Sequence, residues 1–356
     1  MLGISIYLTN QSMEEQESYI QKMRQLGFDN VFTSLHIPED NSKNYKERLA
    51  DLGKLTQLYN MELFADISPK SLGYLGYTFK NVHQLQEWGV TGLRVDYGIA
   101  DETIAELSKQ INIALNASTI THENMKRLRK YDADFSSIEA WHNYYPRPET
   151  GLSLEDFNEK NRFLKNEGVN VMAFIPGDGE KRGPLFQGLP TIEAHRNRST
   201  FSSYLEFLNN KWVDKVLISD PSISKSSEKQ FAKYEHDTIL LRALCYSDNK
   251  TSKERLRVKQ TNRLDAARDV IRSAESRQYG LIGDFPIKPD HTIERKEGSI
   301  TVDNEKYGRY QGEIQITKRP LPADEKVNVI GRVIDEDRFL LPFIKGGMAF
   351  QIEWID

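Results

Sequence analysis

Ala65-Asp66-Ile67-Ser68-Pro69 and Leu93-Arg94-Val95-Asp96-Tyr97-Gly98 are the two runs on which the fold of this chain turns. Each closes an apolar, strand-like segment on an aspartate. In parallel β/α proteins the carboxyl ends of strands face the loops and helix N-termini where ligands bind. Two such ends, about thirty residues apart, therefore predict successive parallel strands with a carboxylate on each. A single strand-end Asp can equally cap the helix that follows it.

Working outward, the same unit repeats. Residues 3–8 form an apolar run. Ser12 then opens a helical pattern with Glu15 in the capping-box position, and Gly27 stops it. Strand-like runs recur at 30–35, 61–67, 92–96, 111–116, 135–142, 170–175 and 213–219, most of them followed by helical periodicity. About eight strand–helix units fill the first two-thirds of the chain, the number expected of a (β/α)8 TIM-type barrel, class α/β. A doubly wound sheet is the alternative. The polar residues at the strand ends, Tyr7, Ser34, Asp66, Arg94, Asp96, Asn116, Ser118, His142, Asn143 and Asp220, would ring one mouth.

Beyond residue 226 the texture changes. From Ser226 a strongly helical, charged stretch runs through 246–276 and reads as a linker helix, with Asn262, Arg263, Asp265, Arg268, Asp269 and Arg272 closely spaced. After Gly280, short β-rich runs at 292–295, 299–302, 312–317, 327–334 and 348–354 alternate with Gly, Pro and Asp/Asn turns, which predicts a small all-β domain. The boundary is placed at 240, giving a barrel over 1–240 and a linker helix plus β domain over 241–356.

The 356 residues carry 48 basic and 52 acidic side chains, a formal charge of −4, so there is no overall attraction to nucleic acid or to an anionic membrane. Cys245 is the only cysteine, which excludes an intrachain disulfide or a multi-thiolate metal site and fits a reducing, cytoplasmic setting. The first residues run straight into a strand with neither a basic nor a long apolar leader, and no later run is long enough to span a bilayer. The seven histidines show no H-x-x-x-H or H-E-x-x-H spacing, and neither G-x-G-x-x-G nor a Walker loop occurs. No metal and no cofactor is expected; oligomeric state is left open.

Asp66 and Asp96 lead the catalytic candidates, because cleavage of a sugar acetal needs one protonated carboxyl at the leaving oxygen and one carboxylate at the oxocarbenium-like centre. A separation of about 5–5.5 Å marks a retaining pair and about 6.5–9.5 Å an inverting one. Arg94 can hold an anion or form a structural ion pair. The loop Trp141-His142-Asn143-Tyr144-Tyr145-Pro146-Arg147-Pro148-Glu149 combines aromatics, prolines, a base and an acid in a stretch that cannot be helical. His142 is either an acid/base or a hydrogen-bonded core residue, and Glu139 reads as a buried layer residue. In the next loop Lys181 and Arg182, with His195 and Arg196 further on, are anion-ligand candidates, since barrels commonly bind phosphate through their last loops. Arg268 in the later basic cluster is another.

Taken together, Phe32-Thr33-Ser34-Leu35, the two opening runs, Leu115-Asn116-Ala117-Ser118-Thr119, His142-Asn143-Tyr144-Tyr145-Pro146-Arg147-Pro148, Lys181-Arg182-Gly183-Pro184-Leu185 and Asn304-Glu305-Lys306-Tyr307-Gly308-Arg309-Tyr310 resemble the bacterial 6-phospho-N-acetylmuramidase family over nearly the whole chain. The resemblance implies a TIM-type barrel followed by a cyclophilin-like β domain. It also implies a cytoplasmic glycosidase acting on a disaccharide of N-acetylmuramic acid 6-phosphate and N-acetylglucosamine in cell-wall recycling. Asp96 would be the general acid/base and Asp66 the nucleophile or the orienter of the substrate's acetamido group, with Glu149 and Asp178 as reserve acids. Ser34, Arg94, Asn116, His142, Asn143, Tyr145, Arg147, Lys181, Arg182 and Arg268 would contact substrate. The rival class is a sugar-phosphate isomerase, aldolase or epimerase on the same barrel, which would need a strand-end lysine or a metal.

Overall fold

A computed structural model describes the chain except for residues 9–11, 36–44, 96–97, 247–253, 255, 277–285 and 356. It divides into two units, Met1–Lys225 and Ser226–Asp356.

In the first unit, strands β1 (Leu2–Ser5), β2 (Asn30–Ser34), β3 (Glu62–Ile67), β4 (Gly92–Val95), β5 (Asn112–Asn116), β6 (Ile138–Trp141), β7 (Asn170–Ile175) and β8 (Lys215–Ile218) pair in parallel and in chain order. The pairing of β1 with β8 closes the barrel. Between the strands run helices α1 (Met13–Gln25), α2 (Tyr45–Leu58), α3 (Pro69–Leu75), α4 (Asp101–Ser108), α5 (His122–Lys130), α6 (Leu154–Asn166) and α7 (Thr200–Leu208). The start of α1 is the capping box read from Ser12 and Glu15, each serving the other's backbone N–H. Two helices escaped the sequence reading. In α3 the Ser68 cap and Pro69 directly extend the strand-end motif. In α7, Thr200, Phe201, Ser202, Ser203, Leu205 and Phe207 are all buried, so it lacks the polar stripe by which periodicity is recognised.

Alternation along the strands sends Phe32, Phe64, Ala114, Trp141, Met172, Phe174 and Leu217 inward as one packed cluster. Phe64 lies 4.5 Å from Trp141, and Phe32 meets Phe174 edge-on at 5.3 Å. Gly92 belongs to this packing, because a Cβ there would stand 2.3 Å from the Phe64 ring. Gly92→Ala is therefore expected to destabilise the protein by about 1–3 kcal/mol through overpacking, read as a lower urea midpoint at unchanged slope.

The N-terminal end of the barrel is closed by Lys215, 3% exposed, which pairs with Glu139 at 3.1 Å and Glu62 at 3.4 Å. Its ammonium stands 5.1 Å from the Phe64 ring centre and 5.5 Å from that of Trp141. Glu139, which also accepts from the Trp141 indole at 2.6 Å, is thus a layer residue at the strands' starting end.

Helix α8 (Lys225–Tyr234) starts on the last residue of the first unit and opens the second, which continues through β9 (Thr238–Cys245), β10 (Gln260–Thr261), β11 (Val270–Arg272), β12 (Ser299–Asp303), β13 (Ile314–Thr317), β14 (Val327–Val333) and β15 (Ala349–Ile355). Among the described residues these strands form one sheet in the order β10-β15-β9-β14-β12-β13-β11, antiparallel except for β15 against β9. Fully buried Asp337 ties its parts together by accepting from the Arg242 N–H (2.8 Å), the Arg242 guanidinium (2.6 and 3.0 Å) and Gln230 (3.2 Å).

The helical stretch expected from Ser226 is found at its start, as α8, but a continuous linker helix is corrected: over 258–273 the chain holds β10 and β11 instead. Its charges pair locally, Arg263 with Asp265 and Arg268 with Asp269, and so mimic a helical face. Meanwhile fully buried Ile271 commits β11 to β13. The run at 292–295 makes an isolated bridge from Arg295 to Leu321 and no strand.

Candidate active site

Strand register builds the mouth of the barrel. Ser34 pairs with Asp66, and Asp66 with Arg94, across β2, β3 and β4. All three continue the inward alternation set by Phe32, Phe64 and Gly92. The Asp66 carboxylate accepts from Arg94 Nη1 at 3.1 Å and from the Ser34 hydroxyl at 3.3 Å. Arg94 is 3% exposed and its other amino group donates to the Asn143 side chain at the end of β6. Four strand ends thus share one polar network floored by aromatic rings. Asp96 lies outside the described residues, and so does its separation from Asp66.

A second cation stands at the same mouth. Arg182, in the loop after β7, donates to the Tyr144 hydroxyl at 2.7 Å. Its guanidinium lies 4.9 Å from the Tyr7 ring centre and 5.6 Å from that of Tyr144, within cation–π range. Tyr7 donates to the Ser219 carbonyl at 2.5 Å, and Tyr144 packs edge-on against Phe174 at 5.1 Å. Burial pushes the Tyr7 phenol well up from its ordinary value and raises that of Tyr144, so both remain protonated at neutral pH. Asp66 and Arg94 act electrostatically on the Tyr144 phenol, as does Arg182, which places all three at one locus. Tyr144 is the residue that the sequence reading passed over. It was legible only as one aromatic in a rigid loop, and its partner lies 38 residues away.

Two clamps hold the loops. Fully buried Asp220, beyond β8, accepts from the backbone N–H groups of Gly177 (3.0 Å), Arg182 (3.1 Å) and Leu189 (3.2 Å). Burial raises its carboxyl pKa, and those three donors oppose the shift. The other clamp joins the loops after β6 and β7. Arg196, 5% exposed, donates to Glu193 through Nε (2.6 Å) and Nη2 (2.7 Å) and to the carbonyls of Gly188 (3.0 Å), Tyr145 (2.9 Å) and Arg147 (3.2 Å). Glu193 in turn accepts from the N–H groups of Glu149 and Gly151.

Several other candidates are engaged locally. His142 is fully buried between the Asn161 side chain (2.6 Å) and the Ser118 hydroxyl (3.1 Å), and burial drives its pKa down to about 4, so it is a neutral structural residue. His195 is buried against Glu206, and Arg196 is engaged by Glu193 and the loop carbonyls. The Asp178 carboxylate accepts the Ser224 N–H (2.8 Å) and hydroxyl (3.1 Å), which anchors a turn between loops. Glu149 is exposed, in a left-handed turn (φ 71°) fixed through its own backbone by Glu193. Arg268 belongs to the second unit, where it is exposed and paired two-pronged with Asp269 (2.9 and 3.0 Å).

The remaining candidates stand on the loops around the mouth. Asn116, buried at the end of β5, shapes its own turn by accepting the Ser118 N–H at 2.9 Å. Tyr145 donates to the Ser118 hydroxyl at 3.3 Å. Lys181 is half-buried beside Arg182, and the Arg147 side chain is exposed.

Among the described residues no helix is long and apolar enough to cross a membrane, and no group of three or more His, Cys, Asp or Glu is placed to hold a metal ion.

No curated protein matches this sequence. A crystal structure of a conserved Enterococcus faecalis protein, described as having an unknown function, is 47% identical, with a TM-score of 0.91 over 99% of this chain and 96% of that one. An uncharacterised B. cereus protein, 23% identical with a TM-score of 0.74 over 99% of both chains, shares the fold. Two family models, the N-terminal and C-terminal parts of 6-phospho-N-acetylmuramidase, match residues 2–233 and 239–353. On that match, and on the barrel mouth just described, the chain belongs to the 6-phospho-N-acetylmuramidase family and is a glycosidase.

Proposed function

We propose that the protein hydrolyses the disaccharide of N-acetylmuramic acid 6-phosphate and N-acetylglucosamine in the cytoplasm, in the recycling of cell-wall sugars. The family name implies a phosphorylated, muramic-acid-containing substrate. Such a substrate has two anions, the 6-phosphate and the lactyl carboxylate. The observation that carries the reading is the presence of two guanidiniums, Arg94 and Arg182, around one ion-paired carboxylate at one barrel mouth. Arginine is suited to both anions because its planar fork matches carboxylate and phosphate oxygens.

In this proposal Asp66, gripped on both oxygens, acts on the positively charged anomeric centre, either by attacking it or by orienting the acetamido oxygen that does so. Asp96 is the general acid/base. Arg182 takes the phosphate together with Lys181, while Asn143, Asn116, Tyr145 and Arg147 line the sugar's path. The isomerase or aldolase reading finds less support, because the buried Lys215 stands at the opposite end of the barrel, engaged by Glu62 and Glu139.

The test compares the phosphorylated disaccharide with its dephosphorylated form. Turnover of the first with kcat/KM at least about a hundredfold higher supports the reading, since a site built around an anion leaves its donors unpaired with the neutral analogue. Equal rates on both, or no hydrolysis of either, would overturn it. Tyr144→Phe keeps the ring but removes the hydroxyl that receives Arg182. It is expected to raise KM for the phosphorylated disaccharide about five- to tenfold, the effect of losing roughly one charge-assisted hydrogen bond, with kcat changed much less.

A further inference from the structure

The run Asn304-Glu305-Lys306-Tyr307-Gly308-Arg309-Tyr310, in the second unit, has no part in the chemistry assigned above, yet its construction has a direction. Fully buried Asn304 anchors it, donating to the Glu325 carbonyl (2.9 Å) and the Asn328 side chain (2.8 Å) while accepting the Lys306 N–H (3.0 Å). A short 3-10 segment, Glu305–Tyr310, follows and is broken at Gly308, whose φ of 58° and ψ of −121° lie where L side chains do not go. The break turns Arg309 and Tyr310 outward. Tyr310 is 38% exposed, and its ring meets that of Tyr307 at 5.8 Å and 85°.

Two cations lie on these rings. Arg309 sits 5.0 Å from the Tyr310 ring centre and donates to its hydroxyl at 2.9 Å, and the Lys326 ammonium is 5.1 Å from the Tyr307 ring. The neighbouring lysines are neutralised, Lys306 by Glu325 and Lys288 by Glu305. Among the described residues no carboxylate pairs within 4 Å with Arg309 or Lys326. Beside the turn, Arg272 is ion-paired to Glu313 at 2.8 Å and acts electrostatically with the Tyr310 phenol. Asp303, 4% exposed, lies next to the buried anchor. Burial, with the Glu313 and Asp324 charges adding, raises its carboxyl to about 7, so near neutrality it is partly a neutral donor.

Perpendicular aromatic faces bearing two cations that form no close ion pair, although Lys326 also acts electrostatically on the Glu325 carboxylate, match a ligand that is at once a ring with C–H faces and an anion. We propose that the Tyr307–Tyr310 turn, with Arg309 and Lys326, is a binding platform for a pyranose carrying a phosphate or carboxylate. The choice of a muramic-type sugar as probe rests on the function proposed above; the platform itself rests on the geometry of this turn.

The test uses the full chain labelled with 3-fluorotyrosine, in which Tyr307→Phe and Tyr310→Phe assign the two fluorine resonances. Titration with N-acetylmuramic acid 6-phosphate should shift both saturably. Arg309→Gln, at an exposed position, should weaken the response about fivefold or more with an unchanged thermal midpoint, and inorganic phosphate at the same concentration should give less. Silence of both resonances, indifference to Arg309→Gln, or an equal response to phosphate alone would each overturn the proposal. The disaccharide assay fails independently: hydrolysis with silent resonances sinks only the platform, and a response without hydrolysis sinks only the catalytic reading.

Discussion

Asp66→Asn is expected to lower kcat on the phosphorylated disaccharide by about 10^3-fold or more, on the order of 4 kcal/mol of transition-state stabilisation, while KM changes little. The substitution keeps the shape: the amide oxygen can still accept from Arg94, while the amide nitrogen donates to the Ser34 hydroxyl, which turns to accept it, so the network of Asp66, Arg94 and Asn143 retains its geometry. In the proposed mechanism, what is lost is the negative charge that acts on the anomeric centre. Single-turnover kinetics on a folded variant make the measurement, with circular dichroism as the control on folding. Added azide separates the two proposed roles. Recovery of turnover with formation of a glycosyl azide marks a nucleophile, because a small anion can then take its place, whereas an orienter of the acetamido group is not rescued. A variant retaining more than a tenth of the wild-type kcat would remove Asp66 from the chemistry.

Arg196→Met should produce the largest effect on stability, roughly 2–4 kcal/mol, because it leaves the Glu193 carboxylate and the carbonyls of Gly188, Tyr145 and Arg147 without their shared donor. Activity should fall as well, since the loops carrying Tyr144 and Arg182 lose their tie. The deficit depends on pH. Hydrogen bonding from Arg196, aided by the Glu149 and Gly151 N–H groups, draws the Glu193 pKa from its ordinary 4.5 down to about 2 in the folded protein. The folded state thus gains from an ionised Glu193 above pH 4.5, and that gain is lost as pH falls from there towards 2. Urea unfolding of both proteins should therefore show a constant difference above about pH 5 and a shrinking one below it. A difference that does not vary with pH would assign the clamp's strength to the carbonyl contacts alone.

The barrel was legible because parallel strands buried on both faces read as continuous Val, Ile, Leu and Phe runs, and because Ser12 and Glu15 mark a helix start with side chains that bond locally. The network of Ser34, Asp66 and Arg94 was legible for a related reason: strand ends in register stand side by side, so motif position translates directly into proximity. The contact of Tyr144 with Arg182 has no such rule behind it. It joins two irregular loops whose course is set by Asp220 and Arg196, and neither clamp leaves a periodic trace. Short-range ion pairing misled the reading of 246–276, where Arg263 and Asp265 close a turn that charge spacing alone casts as a helix face. The strand Thr238–Cys245 straddles the boundary placed at 240, although it pairs with both β14 and β15.

The Lys215 plug has a consequence for how this barrel can change. Its ammonium, its two carboxylates and the rings of Phe64 and Trp141 form a septum beneath the mouth, charged on one side and aromatic on the other. Foldedness is secured below that septum, and the proposed substrate chemistry lies above it. The loops at the mouth are therefore free to exchange one anionic sugar for another over evolutionary time without renegotiating the base on which they stand.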